Sequence, residues 1–112
     1  NIVTEDIYRH AYVSCMLIKD YESALIILNE MKDNYELNSD DYYNLGVVCT
    51  HLNINEEKTK FFKKSFELNP DNSYTLNAIG YELNSQRKYE TAITYFDQAI
   101  KIENEFAYAY NN

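Results

Sequence analysis

Residues that break helices or form tight turns are scarce in this chain. There are two glycines and one proline among 112 residues, whereas sandwiches and open α/β sheets use turn residues freely. Hydrophobic residues make up 46% of the sequence, which suffices for a small core and excludes a disordered tail. The composition therefore favours one domain of long helices joined by short polar turns.

Positive charge and long apolar runs are also scarce. The formal net charge is -8, from 10 basic and 18 acidic residues, and such a surface repels phosphate backbones, so nucleic acid is not an expected partner. The longest apolar run, residues 24–28, is far shorter than the roughly 20 residues of a membrane helix, so we expect no membrane insertion.

The first residue is Asn1 rather than Met, and no signal peptide is visible. We therefore expect the chain to be a fragment of a longer protein. Its compartment is not encoded in the sequence, although the cytoplasm is favoured.

Cysteine occurs only at Cys15 and Cys49. We expect both to be buried thiols about 10 Å apart, a distance set by helix packing, and therefore too far apart for a disulfide. His10 and His51 have no partner at metal-binding spacing, so no metal or cofactor is predicted.

Catalytic signals are missing as well. The acidic pair at residues 40–41 and the pair at residues 56–57 are typical of helix starts, where the helix dipole favours negative charge. No Gly-rich phosphate loop is present. These observations predict that the chain is not an enzyme.

The sequence does contain an internal repeat. Shifted by 34 residues, it aligns Tyr8 with Tyr42, Cys15 with Cys49, and Phe62 with Phe96. The dipeptide at residues 45–46 also falls on the similar dipeptide at residues 79–80. A period of this length indicates stacked supersecondary units. Positions 34 residues apart are called equivalent below.

Each copy predicts two helices. In the second copy, Asn38 or Ser39 can cap the first helix, and an apolar stripe with a 3.6-residue period follows. Asn53 suits the left-handed conformation of a tight corner, Asn55 can cap the second helix, and Pro70 ends it. The same plan predicts helices near residues 4–18, 21–33, 72–85 and 88–101, and the start of another first helix near residues 105–112.

These motifs resemble the tetratricopeptide repeat, whose pattern over 34 residues is W-x2-L-G-x2-Y, then A-x3-F, then P. The second copy matches with Leu45, Gly46, Phe62 and Pro70, and the third with Ile79, Gly80, Ala92 and Phe96. The resemblance implies an all-α fold, a right-handed α-α superhelix (solenoid) of antiparallel helix pairs. It implies one domain over residues 1–112, with repeats at about 5–38, 39–72 and 73–106 and a partial repeat at 107–112.

Four residues depart from the family pattern, and two of them, Glu36 and Asn104 in place of the terminal Pro, change little. Tyr12 stands where the first repeat should have Gly, so the first helix pair is expected to pack less closely. Lys58 replaces a small Ala, so either its stem reaches out of the gap or that helix pair is splayed. With Lys60, Lys63 and Lys64 it is expected to form a solvated face, the alternative being a contact patch for an acidic partner.

The resemblance also implies a function, a non-catalytic scaffold that holds a peptide or partner protein in a concave groove lined by the first helices. The centre of the groove is expected at Tyr43, Asn44, Tyr74, Asn77 and Tyr81, where Tyr supplies apolar area and Asn binds a peptide backbone. The other predicted groove residues are Asp6, Arg9, His10, Val13, Asp40, Val47, His51, Ala78 and Asn84, with Tyr108 and Asn111 from the tail.

Some members of this family bind chaperone tails through a carboxylate clamp. Asn44 matches one clamp position and Arg9 stands for a clamp Lys, but Val13, Tyr74 and Ala78 occupy positions that should be polar or basic. The sequence therefore predicts no clamp of this kind.

Two alternatives to peptide binding remain open. An uncapped edge at the C-terminus, with Phe106, Tyr108 and Tyr110 poorly covered, would let copies of the chain stack, giving dimers or filaments. The second alternative is that the chain is a regulatory arm of an enzyme whose catalytic part lies outside this sequence.

Overall fold

Six helices form the molecule in the computed structural model, which describes residues 1–111 and, from residue 108 onward, the backbone only. They are α1 (Ile2–Leu17), α2 (Tyr21–Asn34), α3 (Ser39–His51), α4 (Asn55–Leu68), α5 (Ser73–Ser85) and α6 (Tyr89–Asn111). The described residues contain no strand. Helices pack as the pairs α1–α2, α3–α4 and α5–α6, and α2–α3 and α4–α5 contacts stack the pairs. The predicted all-α solenoid is confirmed.

Side-chain caps begin most of the helices. Of the two predicted candidates, Asn38 and Ser39, it is Asn38 that caps α3, in a capping box with Asp41. Asn72 caps α5 at the equivalent position. The predicted cap at Asn55 is wrong, because α4 begins one residue earlier in the turn, with Ile54 at the N-cap and no side-chain cap bond. Asp20, equivalent to Ile54, does accept a cap bond, from the backbone N–H of Ser23.

The turn inside each helix pair uses a left-handed residue at the same repeat position. Lys19, Asn53 and Arg87 have φ values of 64°, 61° and 63°. Asn53 was predicted because Asn tolerates this conformation, but Lys and Arg rarely adopt it, since it costs roughly 1–2 kcal/mol for an L-residue. The register of the repeat therefore imposes the conformation whatever the side chain.

Helix α6 is longer than the sequence predicted. It was expected to end near Lys101, but it continues to Asn111, because no Gly or Pro interrupts residues 89–111. A separate helix starting near residue 105 is therefore wrong. The partial repeat at residues 107–112 stays a prediction, and the side chains of Tyr108, Tyr110 and Asn111 lie outside the described residues.

Close packing of each helix pair depends on two residues that face each other, one on the first helix and one on the second. In the third pair, a Cβ added to Gly80 would lie 2.7 Å from the Phe96 ring, and Gly46 is covered by Phe62 in the same way. In the first pair the sizes are exchanged, because Tyr12 and Leu28 occupy these positions and both are buried in one cluster. As expected from Tyr12, the contact between α1 and α2 is less extensive than in the other pairs.

Candidate functional site

A depression of about 480 Å³ lies where the first helices of all three repeats meet. Its lining comes from α1, α3, α5 and the residue that caps α3. The residues are Arg9, Tyr12, Val13, Asn38, Asp40, Asp41, Tyr43, Asn44 and Tyr74. Six predicted groove residues are therefore brought together, namely Arg9, Val13, Asp40, Tyr43, Asn44 and Tyr74. This depression is called the central depression below.

One end of the central depression is a polar cluster around the buried carboxylate of Asp41. The Arg9 guanidinium donates to it from 2.8 Å, and the Tyr12 hydroxyl donates from 2.7 Å. Arg9 also contacts Glu5 at 3.4 Å, and the Asn44 amide donates to the Tyr12 hydroxyl at 3.1 Å. Burial, reinforced by the hydrogen bond to Asp41, raises the pKa of Tyr12 well above its ordinary value.

The other end of the central depression is aromatic. The rings of Tyr43 and Tyr74 lie with their centroids 5.7 Å apart and their planes tilted by 42°. Tyr43 also packs on Phe62, with ring centroids 6.0 Å apart. Burial and then the neighbouring Tyr74 raise the pKa of Tyr43, so its hydroxyl stays neutral near pH 7. Tyr74 is 65% exposed and can contact a ligand.

A second depression, of about 320 Å³, lies between α3, α4 and α5. It contains the predicted groove residues Val47, His51, Ala78 and Tyr81, and Phe62 adds apolar surface. We call it the apolar depression.

Lys58 lines the apolar depression, and its ammonium lies 3.8 Å from the Glu82 carboxylate of the next repeat. The expectation that Lys58 shares a solvated face is therefore wrong, because it is half-buried while Lys60, Lys63 and Lys64 are exposed.

The remaining predicted groove residues are more scattered. Asn77 lines a third depression, between α5 and α6, together with Tyr74 and Glu103. Asp6, His10 and Asn84 are exposed and line none of these three depressions.

Sequence reasoning missed one stacking contact. The ring of His51 stacks on that of Tyr21, with centroids 4.0 Å apart and planes 3° from parallel. The two residues sit at the end of α3 and the start of α2, so only the stacking of the repeats brings them together.

Sequence reasoning also missed a polar network between the second and third repeats. The Ser65 hydroxyl bonds to the Thr75 hydroxyl at 2.6 Å and donates to the Ser39 carbonyl oxygen at 2.8 Å. The Asn72 amide donates to the Ser39 hydroxyl and, at 2.9 Å, to the carboxylate of Asp40. The available signal was that Ser65 stands at the position where the first repeat has Met31.

Both cysteines are free thiols. Cys49 is buried, and burial, followed by the nearby Glu57 carboxylate, raises its pKa. Cys15 is only half-buried, so the prediction of two buried thiols is wrong for that residue, because α1 is the first helix of the stack and packs mainly on α2.

Metal-binding geometry is not found in the described part of the chain, which has no group of three His, Cys, Asp or Glu side chains able to hold a metal ion. None of the described helices combines the length and apolar character needed to cross a membrane.

The fold and the repeated packing positions define a class of protein. Residues 73–106 match the family model for the tetratricopeptide repeat, which confirms the resemblance predicted from the sequence. A repeat stack of this class is, in general terms, a protein-interaction scaffold.

Solved structures of the protein MamA share the fold. One described as "Crystal structure of MamA" has a TM-score of 0.75 over 91% of this chain and 60% of that chain. "MamA MSR-1 C2" gives 0.72 over 89% and 57%, and a point mutant of MamA gives 0.71 over 87% and 71%. Each is 20% identical in sequence, and the chain spans about 60% of the length of the first two. A search of curated proteins gave no match.

Proposed function

We propose that this chain is a non-catalytic scaffold whose concave face binds an extended peptide segment of a partner protein. The observation that carries the proposal is the central depression, because three consecutive first helices contribute side chains to it. A peptide lying across these helices would contact all three repeats at once.

The chemistry of the lining supports this proposal. Tyr74 offers exposed ring surface. Asn44 uses its amide N–H on Tyr12, so its carbonyl oxygen can accept from a peptide N–H. The neighbouring apolar depression, with Val47, Phe62 and Ala78 in its lining, is suited to an apolar side chain of the same peptide.

The surroundings of Arg9 support the prediction of no carboxylate clamp. Its guanidinium contacts the carboxylates of Asp41 and Glu5 at 2.8 and 3.4 Å. A partner's terminal carboxylate would have to displace these contacts.

The test uses exposed residues so that folding is preserved. Tyr74→Ala and Asn77→Ala are expected to weaken capture of peptides selected from a display library by about tenfold each, which corresponds to roughly 1.4 kcal/mol. Fluorescence anisotropy measures the affinity. Tyr89→Ala is the matched control, since Tyr89 is also exposed, at 57%, but lies at the start of α6, outside the three depressions. Binding as tight as that of the parent chain by both groove variants would contradict the proposal.

Self-assembly is the second candidate function, and exposed apolar residues on α6 favour it. Phe106 is 71% exposed, and Ile93 and Ile100 are 55% and 57% exposed. Light scattering at several concentrations tests this candidate, and a monomer at every concentration would contradict it.

A further inference from the structure

We propose that the ligand of the groove is a basic segment, with a Lys or Arg side chain that sits against the Tyr43–Tyr74 pair and forms an ion pair with Asp40. This inference rests on the proposed function and names the chemistry of the partner. Three observations carry it, namely the balance of charges in the depressions, the aromatic pair and the position of Asp40.

The positive charges of the three depressions are already paired. Arg9 and Lys58 are the cations in their linings. Arg9 contacts Asp41 and Glu5, and Lys58 contacts Glu82. The groove therefore offers an incoming anion no unpaired cation among its described lining residues.

The negative charges are not all paired. Asp40, in the central depression, accepts a hydrogen bond from the neutral Asn72 amide at 2.9 Å. Glu103, in the third depression, accepts from the neutral Ser73 hydroxyl. Among the described residues, neither carboxylate has a cation within ion-pair distance, so both leave negative charge to be neutralised by a ligand.

The aromatic pair adds a surface for a cation. Electron-rich ring faces attract Lys and Arg side chains, and Tyr74 is exposed enough to receive one. The molecule already uses this interaction elsewhere, since the Lys32 ammonium lies 5.2 Å from the centre of the Phe61 ring.

Asp40 gives the cation a second contact. It lines the same central depression as Tyr43 and Tyr74, so one Lys or Arg side chain can place its stem on a ring and its charge near the carboxylate. The net charge of -8 attracts basic segments at longer range and is screened by salt.

The test is an array of short extended peptides of random sequence with one fixed central residue. Peptides centred on Lys or Arg are expected to bind about tenfold more tightly than those centred on acetyl-lysine, norleucine or Glu. Acetyl-lysine is the sharpest comparison, because it keeps the stem and removes the charge. Asp40→Asn should reduce the preference for Lys, while Asp33→Asn, an equal change of charge at an exposed site on α2, should leave it in place.

The possible results separate this inference from the proposed function. Binding of norleucine- or Glu-centred peptides as tight as that of Lys-centred ones, and lost in Tyr74→Ala, would overturn the inference and leave the groove intact. No Tyr74-dependent binding by any peptide would overturn both. Equal losses from Asp33→Asn and Asp40→Asn would show that long-range charge alone sets the preference, which would also overturn the inference.

Discussion

The two junctions between repeats have opposite chemistry at equivalent positions. The first junction lies between the first and second repeats, and the second junction lies between the second and third. On the side of the first helices, the first junction has the ion pair between Arg9 and the buried Asp41. The second junction has Tyr43 and the buried Thr75 at the equivalent positions.

On the side of the second helices, the pattern is reversed. Ala24 and Val48 are fully buried in the apolar cluster of the first junction. The equivalent residues of the second junction are Lys58 and Glu82, which form an ion pair.

The difference between the junctions indicates that two residues in contact across a junction are replaced together. A charge buried alone, or a buried polar group without a partner, costs several kcal/mol. Replacing both members together keeps each group either paired or apolar. Exchanging single members between the two junctions should therefore be harmful, and exchanging whole pairs should be tolerated.

The largest effect is expected from Thr75→Asp, which places the Asp of the first junction into the second. Thr75 is fully buried, and Tyr43 stands where Arg9 would supply the cation. An unpaired buried carboxylate should lower the free energy of unfolding by about 3–5 kcal/mol near pH 7. Because burial raises the pKa of such a carboxyl group, the loss should shrink as the pH falls from neutrality towards about 4, the pKa of an exposed Asp, and should be absent below it. Urea unfolding at several pH values measures it.

A second variant decides whether pairing is the cause. Thr75→Asp combined with Tyr43→Arg rebuilds the ion pair and should recover part of the lost stability. If the double variant is no more stable than Thr75→Asp alone, the positions do not behave as a pair.

A smaller effect is expected from Tyr12→Phe, which removes the hydroxyl that donates to Asp41. The loss should be about 2 kcal/mol near pH 7, since a buried hydrogen bond to a charged acceptor is removed. The folded-state pKa of Tyr12 is raised, so its contribution is complete below about pH 10 and falls above it, where the unfolded chain ionises first. The stability gap between parent and variant should therefore narrow in alkaline solution, and a gap that widens would contradict this account.

The smallest effect is expected from exchanging a whole pair. Lys58→Ala with Glu82→Val copies Ala24 and Val48 into the second junction and should raise the free energy of unfolding by about 1 kcal/mol, because well-packed apolar residues often match or exceed a buried ion pair. Lys58→Ala alone should be destabilising, since Glu82 loses its cation. Thermal unfolding of the parent chain, the single variant and the double variant measures their order of stability. A double variant less stable than Lys58→Ala would refute the predicted order.

Much of the fold could be predicted because its signals are local and repeat. The apolar stripe, the cap at Asn38, the corner at Asn53 and the stop before Pro70 each depend on a few neighbouring residues. The boundary at Ile54 could not be predicted, because Ile54 makes no side-chain cap bond. The end of α6 was missed because the repeat pattern favoured a new helix near residue 105, although no Gly or Pro interrupts residues 89–111.

The candidate site was predictable only in outline. The resemblance to the tetratricopeptide repeat, with which helical periodicity agrees, placed Arg9, Tyr43 and Tyr74 on one face, and the structure brings these residues together. The partner of Arg9 was not predictable, since Asp41 lies 32 residues away. Such a pairing depends on how one repeat stacks on the next.

The left-handed corners at Lys19, Asn53 and Arg87 have a consequence for how the chain can be rearranged. All three reverse direction with φ values between 61° and 64°, although their side chains differ in charge and shape. Any hairpin thus leaves its corner in much the same direction, which makes hairpins candidates for shuffling, duplication or transplantation into related arrays. Such exchange is limited by the residues on the two sides of each hairpin, because each of them must pair with a residue of matching chemistry on the neighbouring hairpin.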